Sequence, residues 1–369
     1  MNKLVENLKA IIVKSLEVPE KDLIADENDN ISDKQKTGFL IVYDELTPLS
    51  RTLFQGYSAV LPMARKLEYY AHTQEQVIEA VHQCKPGDLV ILIESGSFRM
   101  SNFRWRLNLF NLKLKVIEHA HLKNNLESEH DNYLDALNYE EDYWRTTASY
   151  LTKVIEPAKE IQVISSDEAG GKFVLTYAGP FEDVKKNVGD FRLMHNKGCG
   201  FPIGEVFTET GDLPNVNGSV AIYAFADIEH KTVFMEKPFV LEIKNSQIEL
   251  KADKFAELDM TPEGRKFLEL FALLRTENSD GIVWTRELGL GLNRGISREK
   301  RLSDVSAYER VCGVHMSLGL KHDIYRNKSG NLPSGEPRIE RYHVDIFPAV
   351  KEVLVDGKMV FADNQYIIE

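Results

Sequence analysis

The sequence predicts an α/β protein: an open α/β domain over residues 1–160, followed by an α+β domain over residues 161–369 that holds the candidate catalytic residues. Three observations predict it. At 369 residues the chain exceeds the roughly 250–300 residues at which single cores stop growing, so two domains are expected. The first half alternates short apolar runs with helix-period segments, the pattern of parallel strands joined by crossover helices. The second half changes to short alternating strands broken by Gly, Asn and Asp turns, and helices return only late.

Taken in order, "MNKLVENLKAIIVKSLEV" spaces Leu4, Val5, Leu8, Ile11, Ile12 and Leu16 as one face of an amphipathic helix. It lacks the build of a signal peptide. Beyond the polar stretch "DENDNISDKQK", the segment "GFLIVYDELTPLSRTLFQGYSAVL" reads as a buried strand, a turn at Thr47-Pro48 and a helix. "HTQEQVIEAVHQC" is a second helix, and "KPGDLVILIES" a second buried strand behind a Pro-Gly turn. "RMSNFRWRLNLFNL" and "KLKVIEHA" continue the alternation, and a helix in "DALNYEEDYWRTTASYLTKVIEPAKE" closes the domain. Strands follow in "EIQVISSDEAGGKFVLTYAG", "VNGSVAIYAFADIEH" and "KTVFMEKPFVLEIKNSQIEL". Helices are expected in "TPEGRKFLELFALLRT", with Thr261 as N-cap and Pro262 at the first helical position, and in "SDVSAYERVCGVHMSLGL".

Composition narrows the function. A formal charge of −12 argues against a nucleic-acid partner, which calls for a basic patch, and points to small molecules or small peptides as substrates. Cys84, Cys199 and Cys312 are too scattered for a disulfide framework or a thiolate metal site, a usage that fits a reducing cytoplasm. No apolar run approaches the roughly 20 residues of a membrane helix, so no membrane partner is expected.

The chemistry-bearing motifs lie in the second half. In "GFPIGEVF" a strand would place Glu205 on one face with Ile203 and Phe207. An ionised carboxylate among apolar neighbours must protonate, pair, or bind a cation. In "ERYHVDIF" His343 and Asp345 share a strand face with Phe347, so imidazole and carboxylate point into one space; the alternative is a His–Asp hydrogen bond at a solvated strand end. His315 in "VCGVHMSLGLKH" stands among Val314, Met316 and Leu318, where a satisfied core histidine is the ordinary outcome. Cys312 reads as a small buried filler. Glu287 in "VWTRELGLGLNRG" ends an apolar run and enters a turn punctuated by Gly289, Gly291 and Gly295, whose spacing is not the dinucleotide fingerprint. Arg286, Arg294 and Arg298 beside it read as surface counter-charges. Oxygen and imidazole donors without thiolate suit zinc, cobalt, manganese or iron. Three carboxylates against two divalent ions leave one positive charge for a bridging hydroxide, the nucleophile of two-metal hydrolysis.

These segments carry a resemblance. "PIGEVFTETGDLPNVNGSV", "RELGLGLNRG", "VHMSLG" and "YHVDIF" are similar, in the same order, to the metal-binding segments of the aminopeptidase T family of metallopeptidases and its shorter relatives. The resemblance implies that Glu205, Glu287, His315, His343 and Asp345 hold two divalent ions such as Zn, Co or Mn. It further implies a metal-dependent aminopeptidase-like hydrolase that releases N-terminal amino acids from small peptides, Glu287 as proton shuttle, and a homodimer. Where the family has a transition-state-stabilising tyrosine seven positions after the histidine of the "HMSLG"-like segment, this chain has His322 as the candidate catalytic residue in its place, with Tyr325 nearby as the alternative. A second family on the same scaffold, the 2,5-dihydroxypyridine dioxygenases, is also similar. It implies one Fe(II) held by His315, His343 and Asp345, with open positions for a chelating aromatic substrate and O₂.

Overall fold

A computed structural model of the chain describes residues 2–23, 38–98, 105–192, 194, 196–210, 215–278, 281–285, 287–319 and 342–368. By its contacts the chain divides into two compact units. The first comprises Met1–Arg145, Asn187–Gly204 and Gly295–Ala307; the second comprises Thr146–Lys186, Glu205–Arg294 and Tyr308–Glu369. The chain thus returns to the first unit twice, where the sequence suggests a single boundary at residue 160.

The first unit holds a five-stranded parallel sheet in the order Arg65–Glu68, Phe39–Tyr43, Leu89–Ile93, Lys115–His119, Lys197–Gly200. Its fifth strand, "KGCG", has no apolar run to announce it and comes from beyond residue 160. Both sheet faces are buried. Leu40, Val42, Val90, Leu92 and Val116 pack in one cluster with Val77, Ala80 and Val81 of the helix Gln74–His82 and with Leu109 and Phe110 of the helix Trp105–Asn111. Ile41, Ile91 and Ile117 are paired in register and alternate to the opposite side, and the helix Pro48–Val60 packs on the strands Phe39–Tyr43 and Leu89–Ile93. Each such isoleucine is fully buried, which contributes about 1.5–3 kcal/mol. Thr47 caps the helix Pro48–Val60: its Oγ1 accepts from the Ser50 N–H at 3.1 Å, and Ser50 Oγ accepts from the Thr47 N–H at 3.2 Å. The N-terminal segment is helical through Asn2–Ala10 and Ile11–Ser15, with Leu4, Leu8, Ile11, Ile12 and Leu16 buried as their spacing demands.

The second unit is built on a fourteen-stranded sheet of antiparallel pairs. The helix Pro262–Glu277, capped by Thr261 whose Oγ1 accepts from the Gly264 N–H at 3.0 Å, packs on the strand Thr232–Lys244. Phe267 sits there against Phe225 and Phe239. The α/β fold class with a parallel sheet and an antiparallel sheet is as the sequence indicates.

Two local expectations are corrected. "SDVSAYERVCGVHMSLGL" is not one helix: a single turn, Val305–Tyr308, is followed by the strand Gly313–Leu318. Val314, Met316 and Leu318 alternate with His315 and Ser317, and pairing on both sides wins over the helix-compatible spacing. Nor does Glu287 enter a turn, for Glu287–Gly291 is a strand. Among the described residues no helix is long and apolar enough to cross a membrane. Cys84, Cys199 and Cys312 form no disulfide with one another.

Candidate metal centre

Four neighbouring strands of the second unit build the site: Glu205–Thr210, Glu287–Gly291, Gly313–Leu318 and Val344–Pro348. Register decides which side chains meet. Gly291 pairs with Glu205 and with Gly313; Gly289 pairs with Phe207 and with His315. Ser317 pairs with Asp345, in the row of Glu287. Because side chains alternate, Glu205, Glu287, His315 and Asp345 all fall on one face, while Leu288, Leu290, Val314, Met316, Val344 and Ile346 fill the core behind it.

This explains the pattern of "ELGLG". Its leucines point to the core and its glycines to the site. A Cβ on Gly289 would lie 1.9 Å from His315 Nε2 and 2.0 Å from its Cε1, so the imidazole lies over a position that only glycine leaves open. A Cβ on Gly291 would meet the Val311 carbonyl oxygen at 2.0 Å and the Arg310 carbonyl carbon at 2.8 Å, so this glycine lets the chain at Arg310–Val311 run close against the strand.

Three donors converge: ligand atoms of Glu287, His343 and Asp345 all lie within 4.8 Å of one another. His343 Nε2 is 3.5 Å from Glu287 Oε1 and 3.4 Å from Asp345 Oδ1. His315 joins through the same carboxylate, its Nε2 standing 3.7 Å from Glu287 Oε1. His343 itself precedes the strand Val344–Pro348 and keeps 30% of its side-chain surface exposed, which is the open side of the cluster. Behind it, the Tyr177 hydroxyl donates to the Glu287 backbone carbonyl at 3.3 Å.

The electrostatics are those of a place that wants a cation. Burial opposes charge on His315, yet the Glu287 carboxylate beside it and the charges of Asp345 and Glu205 outweigh it and push the imidazole up to about 9. For His343 partial burial is likewise outweighed by Glu287 and Asp345, and it stands well above its ordinary value. Burial alone would raise Glu287 and Asp345, but the imidazoles hold both carboxyls below their usual range. His315 Nδ1 and Asp345 Oδ1 are buried atoms without a hydrogen-bond partner among the described residues. Two imidazoles, two carboxylates, unsatisfied buried donor atoms and a glycine cradle fit a divalent cation of the zinc, cobalt, manganese or iron type.

Glu205 is placed differently. Its carboxylate is ion-paired to the Arg310 guanidinium Nη1, and Arg310 Nη2 is 2.8 Å from Glu309 Oε1. Arg310 and Glu309 were not among the residues the sequence singled out. Reading "SAYERVCGVH" as one helix puts Arg310 and His315 on different sides, whereas a strand entered after Arg310 brings both to the site. Burial pushes the Glu309 carboxyl up to about 8, against the pull of Arg310 and with the added charges of Asp345 and Glu205. Ile203 precedes the strand that begins at Glu205. Arg294 and Arg298 are exposed, and Cys312 is only half-buried, its thiol directed to the Asn364 carbonyl at 3.5 Å. Arg286, His322, Tyr325 and the loop "NKSGNLPSGEPRIER" lie outside the described residues.

No protein-family model matches the chain, and no curated protein does. Among solved structures the fold is similar to that of wild-type AmpT from Thermus thermophilus, with a TM-score of 0.56 and 13% sequence identity over 100% of this chain and 99% of that one. At that identity the likeness is one of fold.

Proposed function

We propose that this chain is a divalent-metal-dependent hydrolase that removes the N-terminal amino acid from small peptides. The observation that carries the reading is the convergence of Glu287, His343 and Asp345 within 4.8 Å, with His315 beside them. The fold shared with AmpT, an aminopeptidase T, supports the reaction class.

His315, His343 and Asp345 would hold the ion, with Glu287 at its edge. A bound divalent ion supplies Lewis acidity, which polarises a peptide carbonyl and lowers the pKa of water. Ligation takes both imidazoles in the neutral form, so the carboxylates become the counter-charges of the ion. Glu287, 3.5 Å from one imidazole and 3.7 Å from the other, is the carboxylate placed to accept a proton from the attacking water and return it to the departing amine. Tyr177 fixes the backbone at that residue, so the carboxylate keeps its aim. The exposed edge of His343 marks the side from which substrate reaches the cluster.

The test is a comparison of metals and atmospheres. Chelator-treated protein is reconstituted separately with Zn(II), Co(II), Mn(II) and Fe(II), then assayed with and without oxygen on a tripeptide whose amino terminus is free or acetylated. The expected result is release of the first amino acid from the free peptide alone, independent of oxygen. Turnover only with Fe(II) and O₂, on a dihydroxylated heteroaromatic ring, would overturn it in favour of ring cleavage at His315, His343 and Asp345.

A further inference from the structure

We propose that this chain holds one divalent ion and not two, and that the Arg310 guanidinium fills the second cation's place in front of Glu205. The inference rests on the metal-site reading above and concerns how many ions the five sequence-identified residues serve.

Register separates Glu205 from the converging donors. Along the site face Glu205 lies in the row of Gly291 and Gly313, His315 in the next row, and Glu287 and Asp345 in the third. Successive rows on one face are two residues, or about 7 Å, apart along a strand. The converging donors are those of the third row with His343, and Glu205 stands two rows away from them.

The Glu205 carboxylate already has a cation in front of it. Arg310 reaches it through Nη1 and reaches Glu309 through Nη2 at 2.8 Å, so one guanidinium bridges two carboxyl groups. Only 11% of the Arg310 side-chain surface and 7% of that of Glu205 are exposed, so water does little to screen the pair. A guanidinium does not deprotonate in a protein, so it cannot yield the site by losing its charge. An ion ligated by Glu205 would sit about 2.0–2.2 Å from the carboxylate oxygen, in the space the guanidinium now uses and against its charge.

The backbone is built to deliver this arginine. Gly291 pairs with Glu205, and it is at Gly291 that a Cβ would collide with the Arg310 and Val311 carbonyl groups. The Asn293 N–H then donates to the Arg310 carbonyl at 3.0 Å and pins the approach. The second glycine of "GLG" therefore seats the arginine as the first seats the imidazole of His315.

The experiment counts ions. Full-length chelator-stripped protein is incubated with excess Zn(II), desalted and analysed for metal per chain, and the binding is titrated calorimetrically. Wild type should hold one ion. Arg310→Met should hold two, because Glu205 and Glu309 are released as donors. Glu205→Gln should still hold one ion, with an affinity within about tenfold of wild type, less than the loss typical of a residue that directs a ligand. Two ions in wild type, one ion in folded Arg310→Met, or loss of the ion in Glu205→Gln would each overturn the proposal. Should Arg310→Met fail to fold, wild type and Glu205→Gln decide it. Peptide turnover is not read here, so a chain with one ion and no peptidase activity would sink the reaction and leave the count standing.

Discussion

His119 in the first unit and His315 in the second are both buried on strands, and their surroundings send them in opposite directions. Burial alone acts on the charge of the His119 ring, with no carboxylate drawing it up. The Tyr133 hydroxyl donates to the Phe201 carbonyl at 3.0 Å, so its oxygen accepts from His119 Nδ1–H at 2.9 Å; Nε2 is left to accept the Tyr57 hydroxyl at 2.8 Å. Every polar atom of the ring is satisfied in the neutral form, and burial pushes the imidazole down to about 3. Around His315 the same burial is overruled by Glu287, Asp345 and Glu205, and Nδ1 has no hydrogen-bond partner among the described residues. The lesson is that burial alone makes a histidine a core residue. Converging carboxylates facing its Nε2 make it a candidate ligand.

Breaking each side of this comparison should have opposite consequences. Asp345→Asn should lower Zn(II) affinity more than about 100-fold, beyond the loss typical of outer-sphere partners, while far-ultraviolet circular dichroism stays that of wild type. Metal retained at wild-type affinity would place the ion elsewhere. His119→Ala should do the reverse. It strands the Tyr57 hydroxyl in the core and leaves the Tyr133 hydroxyl only its bond to the Phe201 carbonyl, so denaturant unfolding should show a loss of about 3 kcal/mol with the metal content per folded chain unchanged.

Finer changes sharpen the contrast. Gly289→Ala adds a methyl where His315 lies, and should weaken metal binding by about tenfold or more with little effect on the core-facing leucines. Titration should also separate the two histidines. The folded-state pKa of His119, near 3, lies below its unfolded value near 6.5, so between these pH values the unfolded chain binds more protons. The stability advantage of wild type over His119→Phe should therefore be full above about pH 6.5 and shrink by up to about 1.4 kcal/mol per unit as the pH falls toward 3. An advantage that stays constant across that window would mean that His119 is not buried in its neutral form.

How far the sequence reached follows from the same physics. Continuous apolar strands and capped helices are local signals, so the parallel sheet and the helices at Pro48 and Pro262 could be read directly. The strand Lys197–Gly200 could not, because two of its four residues are glycines and it is recruited across sequence. Glu287, His315, His343 and Asp345 were legible as candidate donors, but their rows were not, since register is set by pairing between strands far apart in the chain. Arg310 was hidden for that reason: its partner Glu205 is more than a hundred residues away, and a helical reading of "SAYERVCGVH" turned it from the site. A buried carboxylate with no local counter-charge was the signal that such a partner had to exist.

The most direct test of the account is anomalous diffraction from crystals of the chain grown with Zn(II). The predicted result is a peak about 2.0–2.2 Å from donor atoms of His315, His343 and Asp345, with Glu287 beside it and Arg310 still paired to Glu205. A peak bound elsewhere on the chain, or none in crystals where these four side chains are ordered, would contradict it.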